Sequence, residues 1–133
     1  MKDTFVYTYR VSYADTDQMK VVYYANYFIW FERARTEMLR SKGSSYKEFE
    51  KKGFFLPVSD AKCSYIKSAR YDDIVHIHTK VEELRRASII FAYEIIREDD
   101  GAIIAKGSTN HPFVNVDGKP MRVTQEIKQI LGL

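Results

Sequence analysis

Cysteine is almost missing. Cys63 is the only one in 133 residues, so no disulfide can close within the chain, and a reducing, intracellular setting is expected. No apolar run approaches the ~20 residues a membrane-spanning helix needs. The opening MKDTFVYTYR mixes charges and lacks an apolar signal region, which makes the cytoplasm the expected location. An excess of one charge is missing too: 21 basic side chains stand against 18 acidic ones, for a net charge of +3. That is too little to point to nucleic acid by itself, yet compatible with one local anion-binding patch. Repeats, linkers and low-complexity segments are absent. What is there, 45% hydrophobic and 29% charged residues, is the balance of a globular chain, and its length fits a single domain over 1–133.

Residues 4–13 alternate. Phe5, Tyr7, Tyr9, Val11 and Tyr13 fall on one side and Val6, Thr8, Arg10 and Ser12 on the other, the pattern of a strand with one buried face. Over 25–40 the period changes, and Tyr27, Phe31, Ala34 and Met38 mark one face of a helix. Arg33 and Glu37 are spaced to pair on its outer side, and Gly43 is placed to stop it. SSYKEFEKKG reads as a shorter helix, capped by Ser44 or Ser45 and closed by Gly53. Past Pro57, the segments VSDAKCSYIKSA, DIVHIHTKV, ASIIFAYEIIRE and IIAKGSTNHPFVNV read as strands, with EDDGA and DGKP as turns. TQEIKQIL is a last helix, capped by Thr124.

Antiparallel strands need cover on one face, and only the aromatic helix is long enough to give it. The expected architecture is therefore α+β, one sheet wrapped on one central helix. In ASIIFAYEIIRE, Ile89, Phe91, Tyr93 and Ile95 share the helix-facing side. Ile90, Ala92 and Ile96 on the opposite side call for a subunit partner.

Between strand and helix lies YADTDQMKVVYYANYF, with carboxylates at Asp15 and Asp17. Such a D-x-D suits turn and cap chemistry, because short carboxylates hydrogen-bond nearby backbone. Two carboxylates could also hold a hard cation, but no further acidic or histidine ligand set is evident downstream. A third possibility comes from the helix start. Its N–H groups lack intrahelical partners and its dipole is positive, so it can stabilise an oxyanion while an upstream Asp attacks or activates water.

The stretch DTDQMKVVYYANYFIWFERAR resembles the hotdog-fold acyl-CoA thioesterases, in particular the 4-hydroxybenzoyl-CoA thioesterase-like group and its Tol-Pal-associated bacterial members. YDDIVHIHTKV, RASIIFAYEI and DGKPMRV extend the likeness over nearly the whole chain. The resemblance implies a hotdog fold, a five-stranded antiparallel sheet around the long helix, with paired subunits and active sites between them. It implies hydrolysis of an acyl-CoA, or of an acyl carrier protein thioester, with no metal or organic cofactor. It makes Asp17 the catalytic carboxylate and the backbone N–H near Tyr24 the group that polarises the carbonyl. Asn26 and Tyr27 become the pair that shapes the helix entrance. A homodimer or homotetramer is expected. Two residues depart from the family pattern. Lys20 stands where Gly is common, which predicts a loop less free to take positive φ, and Tyr24 stands where many relatives have His.

Other residues read as follows. Glu32, at the border of the apolar helix face, is a second catalytic candidate or a carboxylate paired with an Arg. Arg85 and Arg86, with Lys67 and Arg70, lie near strand ends, where the resemblance suggests contacts to the phosphates of coenzyme A; guanidinium suits that task, and solvated turn charge is the other reading. His76 and His78 share a strand face and read as surface groups, His111 has no evident partner, and Cys63 reads as a small strand hydrophobe. The competing class is a noncatalytic domain binding acyl-CoA or nucleic acid, the latter through Tyr7, Tyr9 and Tyr13 interleaved with Arg10. Those tyrosines fit a buried face better, so no nucleic-acid partner is expected.

Overall fold

The computed structural model describes residues 3–133, so the first two residues of the 1–133 domain expectation lie outside the described residues. Five strands form one antiparallel sheet: β1 (Phe5–Arg10), β2 (Asp60–Tyr65), β3 (Ile74–Leu84), β4 (Ser88–Arg97) and β5 (Ile103–Pro112). Their order across the sheet is β1-β3-β4-β5-β2. The long helix α1 (Asn26–Ser41) lies between β1 and β2 in the chain. Because those two strands are the opposite edges, the connection carries α1 across the sheet, and that crossing supplies the cover the strands require.

The helix buries Tyr27, Trp30, Phe31, Ala34, Met38 and Leu39, which extends the expected stripe by Trp30 and Leu39. Facing it are Val75, Ile77 and Val81 from β3, Ile89, Phe91, Tyr93 and Ile95 from β4, and Ala105 from β5. Full burial of each large aliphatic or aromatic side chain here contributes roughly 1.5–3 kcal/mol. The helix ends in a Schellman motif. Gly43, at φ +80°, lets its own N–H reach the Arg40 carbonyl (3.0 Å) and the Ser44 N–H reach that of Leu39 (3.1 Å). Two short helices add Phe49 and Ile127 to the core and are tied to each other by a Lys52–Glu126 ion pair. In α2 (Tyr46–Lys51) the cap is Ser45, whose hydroxyl accepts from the Glu48 N–H; in α3 (Gln125–Ile130) it is Thr124, accepting from Ile127.

Three expectations need correction. Tyr13 does not continue the buried face of β1: the strand ends at Arg10, and Tyr13 is 78% exposed in a 3-10 turn (Tyr13–Asp15). Arg33 does not pair with Glu37, which bonds Arg40 instead. The Arg33 guanidinium lies 5.3 Å from the centre of the Tyr9 ring, where a cation meets a π face at the edge of the core. The far face of the sheet is also more polar than Ile90, Ala92 and Ile96 suggest. Register places His76 opposite Ile96, His78 opposite Glu94 and Lys80 opposite Ala92, so the apolar side chains are interspersed with charge.

Candidate active site

The two carboxylates of the loop divide their work. Asp15 is a structural brace. Its Oδ2 accepts from the Tyr9 hydroxyl at 2.6 Å and from the Ser12 N–H at 2.9 Å. Its carbonyl accepts from the Asn26 side-chain amide at 2.8 Å and from the Tyr23 N–H at 2.9 Å. These bonds tie the end of β1 to the segment that leads into α1, and Asn26 serves as the tie on the helix side.

Asp17 opens a tight hairpin. The Thr16–Val22 bridge brackets it, the Lys20 N–H donates to the Asp17 carbonyl at 2.9 Å, and the Asp17 N–H donates to Val21 at 2.9 Å. Asp17 Oδ1 accepts from the Met19 N–H at 2.8 Å, an Asx-type contact that fixes the carboxylate's orientation. Lys20 takes φ +63°. The loop thus adopts the left-handed conformation with a lysine in place of glycine; the extra hydrogen bonds of the hairpin outweigh the steric cost, of order 1–3 kcal/mol. One Asp17 oxygen is used by the turn, and Oδ2 has no partner among the described residues.

Asp17, itself exposed, lines a groove of about 260 Å³ with Val22, Tyr24, Tyr27, Tyr65 and Lys67, among others. The start of α1 enters the same groove. The carbonyl of Tyr23 accepts from the Asn26 N–H at 2.9 Å and that of Tyr24 from the Tyr27 N–H at 3.4 Å, while the N–H groups of Tyr24 and Ala25 have no acceptor among the described residues. These are the orphan donors of a helix N-terminus, at its positive end. Tyr27 is buried, and its hydroxyl accepts from the Ala69 N–H at 3.3 Å. Loss of water around that hydroxyl raises its pKa, so it stays neutral.

Other expected residues lie elsewhere. Glu32 is exposed on α1, does not line this groove, and forms no ion pair among the described residues. The expected partnership with an Arg fails because Arg33 faces Tyr9 and Arg35 turns inward to the Tyr93 hydroxyl at 3.4 Å. Arg85 and Arg86 sit at the β3–β4 turn. With Arg122 and Lys128, two residues the sequence reading did not single out, they line a second hollow of about 390 Å³. Glu83 bonds Arg85 there, 2.8 Å from its Nε.

His76 lies on the outer sheet face between Thr8 and Glu98, 2.9 and 3.0 Å away. His111 is fully buried. Its Nδ1 donates to the Leu56 carbonyl at 3.2 Å, so Nε2 must accept from the Thr109 hydroxyl at 2.8 Å. Burial, then the nearby Arg35 charge, push its pKa down to about 4. Among the described residues, no group of three or more His, Cys, Asp or Glu side chains is placed to hold a metal ion. Tyr7 and Tyr9 pack against the core, with Tyr9 5.3 Å from Trp30, and are not available to stack on bases. No helix among the described residues is long and apolar enough to cross a membrane.

Residues 11–131 match the model of the thioesterase-like superfamily. The chain is 32% identical over 126 residues to the acyl-CoA thioesterase YbgC of Haemophilus influenzae, covering 93% of this chain and 91% of that protein. Among solved structures it resembles a hypothetical protein from Aquifex aeolicus (TM-score 0.89, 37% identity, 96% and 98% of the two chains). It also resembles the DHNA-CoA thioesterase of Staphylococcus aureus (TM-score 0.84, 37% identity, 90% and 80%). With the sheet order, the crossing helix and these likenesses together, the chain belongs to the thioesterase-like superfamily and is a thioester hydrolase of the hotdog fold.

Proposed function

We propose that the groove at the start of α1 hydrolyses the thioester of an acyl-CoA, or of an acyl carrier protein, to the free acid and the thiol. The observation that carries this reading is that Asp17 and Tyr24 line one groove, and that the Tyr24 N–H, like that of the adjoining Ala25, has no acceptor among the described residues. The carboxylate either attacks the carbonyl carbon, giving an anhydride that water then opens, or takes a proton from a water that attacks. In both routes the carbonyl electron pair moves onto oxygen, where the N–H groups receive it. It then returns to expel the thiolate, which leaves as the thiol after taking up a proton. Asn26 and Tyr27 shape the entrance. No metal or organic cofactor takes part in these steps.

The basic hollow of Arg85, Arg86, Arg122 and Lys128 supports a phosphate-bearing handle such as CoA. It lies at the far end of β3 from Asp17, and eleven residues of strand span roughly 33 Å. A homo-oligomer accounts for this separation, since an antiparallel two-fold pairing brings one protomer's basic hollow toward the other's carboxylate.

Steady-state release of free thiol from a panel of acyl-CoAs tests the reading. Asp17→Asn is expected to fold normally and lose on the order of 10² or more in kcat, whereas Glu32→Gln retains turnover. Near-native hydrolysis by Asp17→Asn would remove Asp17 from the mechanism.

A further inference from the structure

Tyr65 is the last residue of β2, an edge strand, where it pairs with Ala105 of β5. It is 46% exposed, so core packing does not explain a large aromatic there. Its hydroxyl donates to the Tyr24 carbonyl at 3.1 Å. Its ring centre lies 6.1 Å from that of Tyr24, nearly perpendicular to it, and 5.3 Å from that of Tyr27. The helix itself holds the Tyr24 carbonyl weakly, through a 3.4 Å contact from the Tyr27 N–H, while the preceding carbonyl, Tyr23, is held at 2.9 Å by Asn26. Tyr65 therefore supplies the better bond to the Tyr24–Ala25 peptide, from a different part of the chain.

That peptide carries the Ala25 N–H at its other end and adjoins the Tyr24 N–H. Both donors lack acceptors among the described residues, and Tyr24 and Tyr65 line the groove with Asp17. A hydrogen bond accepted by an amide oxygen draws charge toward that oxygen and strengthens the N–H of the same peptide as a donor. It also fixes the peptide plane, so that the donors need no reorganisation when charge develops.

Building on the acyl-transfer reading above, we infer that Tyr65 is a positioning residue: it orients and polarises the Tyr24–Ala25 peptide so that the N–H groups of Tyr24 and Ala25 meet the thioester oxygen. Loss of water around its hydroxyl and the neighbouring Cys63 thiol push the Tyr65 pKa up to about 12. The group is then a neutral donor across the working pH range.

Tyr65→Phe removes the oxygen and keeps the ring. The expected result is an unchanged melting temperature, an unchanged KM and a kcat lowered about tenfold, the scale of one lost hydrogen bond to a preorganised site. A spectroscopic readout reports on the donors themselves. In the Asp17→Asn background, where turnover is slow, the infrared carbonyl stretch of bound, carbonyl-13C benzoyl-CoA falls below its value in solution. Adding Tyr65→Phe moves it back toward the solution value. Placing 3-fluorotyrosine, a more acidic phenol with the same ring, at position 65 moves it the other way. Unchanged kcat, or a carbonyl frequency that ignores both replacements, overturns the inference even if Asp17→Asn is inactive. Full activity of Asp17→Asn overturns the acyl-transfer reading instead, and the two failures are distinguishable.

Discussion

Asp15 and Asp17 are two residues apart and chemically alike, and each carboxylate keeps one oxygen without a partner among the described residues. Yet Asp15 accepts two hydrogen bonds on Oδ2 and two on its backbone carbonyl, whereas the Asp17 side chain accepts one. The difference arises from the surroundings: the Asp15 side chain meets the Tyr9 hydroxyl and its carbonyl the Asn26 amide, while Asp17 lines the groove. Elsewhere, three buried polar groups of β4 and β5 form one hydrogen-bonded chain. Tyr93 donates to Thr109 at 2.6 Å, and Thr109 donates to His111 Nε2 at 2.8 Å; both directions require the imidazole to be neutral. A pH dependence follows. The folded pKa of about 4 lies below the unfolded value near 6.5, so folding favours the uncharged ring. This contribution to stability is complete above pH ~6.5 and is lost as pH falls toward 4, at about 1.4 kcal/mol per pH unit. Denaturant midpoints measured from pH 7 to pH 4.5 should show that slope in the native protein and a shallower one in His111→Gln.

The approach of α1 to the sheet depends on one small residue. Phe31 stacks on Tyr93 at 4.3 Å with rings 10° apart, and its ring lies over Gly107 of β5. A Cβ at Gly107 would stand 2.5 Å from Phe31 Cε2 and 2.5 Å from the Lys62 carbonyl oxygen. Neither neighbour can withdraw easily, one being clamped in the core and the other belonging to the paired strand β2. Gly107→Ala is therefore expected to destabilise the fold by about 1–3 kcal/mol, read as a lower denaturant midpoint. Because the same shift would lift β2, it would also loosen the Tyr65 contact to the helix entrance.

The carboxylate groove and the basic hollow occupy opposite ends of the sheet, so one chain alone does not present both to one short substrate arm. If two copies share each site, variants disabled at different ends should complement each other. Asp17→Asn and Arg86→Glu are each expected to hydrolyse acyl-CoA poorly. Mixed one to one after unfolding and refolding together, they should recover roughly a quarter of native kcat/KM, because half the pairs are mixed and each mixed pair rebuilds one complete site of two. Activity that stays at the level of the two separate variants would show that each chain works alone.

Periodicity and cap chemistry made most of the fold legible. The alternation over 5–10, the apolar stripe of the aromatic helix and the capping hydroxyls of Ser45 and Thr124 are local, and backbone geometry answers to them directly; the same alternation carried on to Tyr13 misled, because the chain turns after Arg10. Asp17 and the helix start were legible for the same reason, being nine residues apart across one short loop. Tyr65, Arg122 and Lys128 were not, because each reaches its neighbours only after strands distant in sequence have paired. Arg33 also escaped: its spacing from Glu37 was right for an ion pair, but Glu37 bonds Arg40 and the Arg33 guanidinium lies over the Tyr9 ring, which the sheet brings there with β1. The chain on its own determined which segments coil, which extend and which carboxylate stands before the helix. Only the folded arrangement decided which groups share a groove, since that depends on strand order and on the crossing of α1, and a linear pattern carries neither.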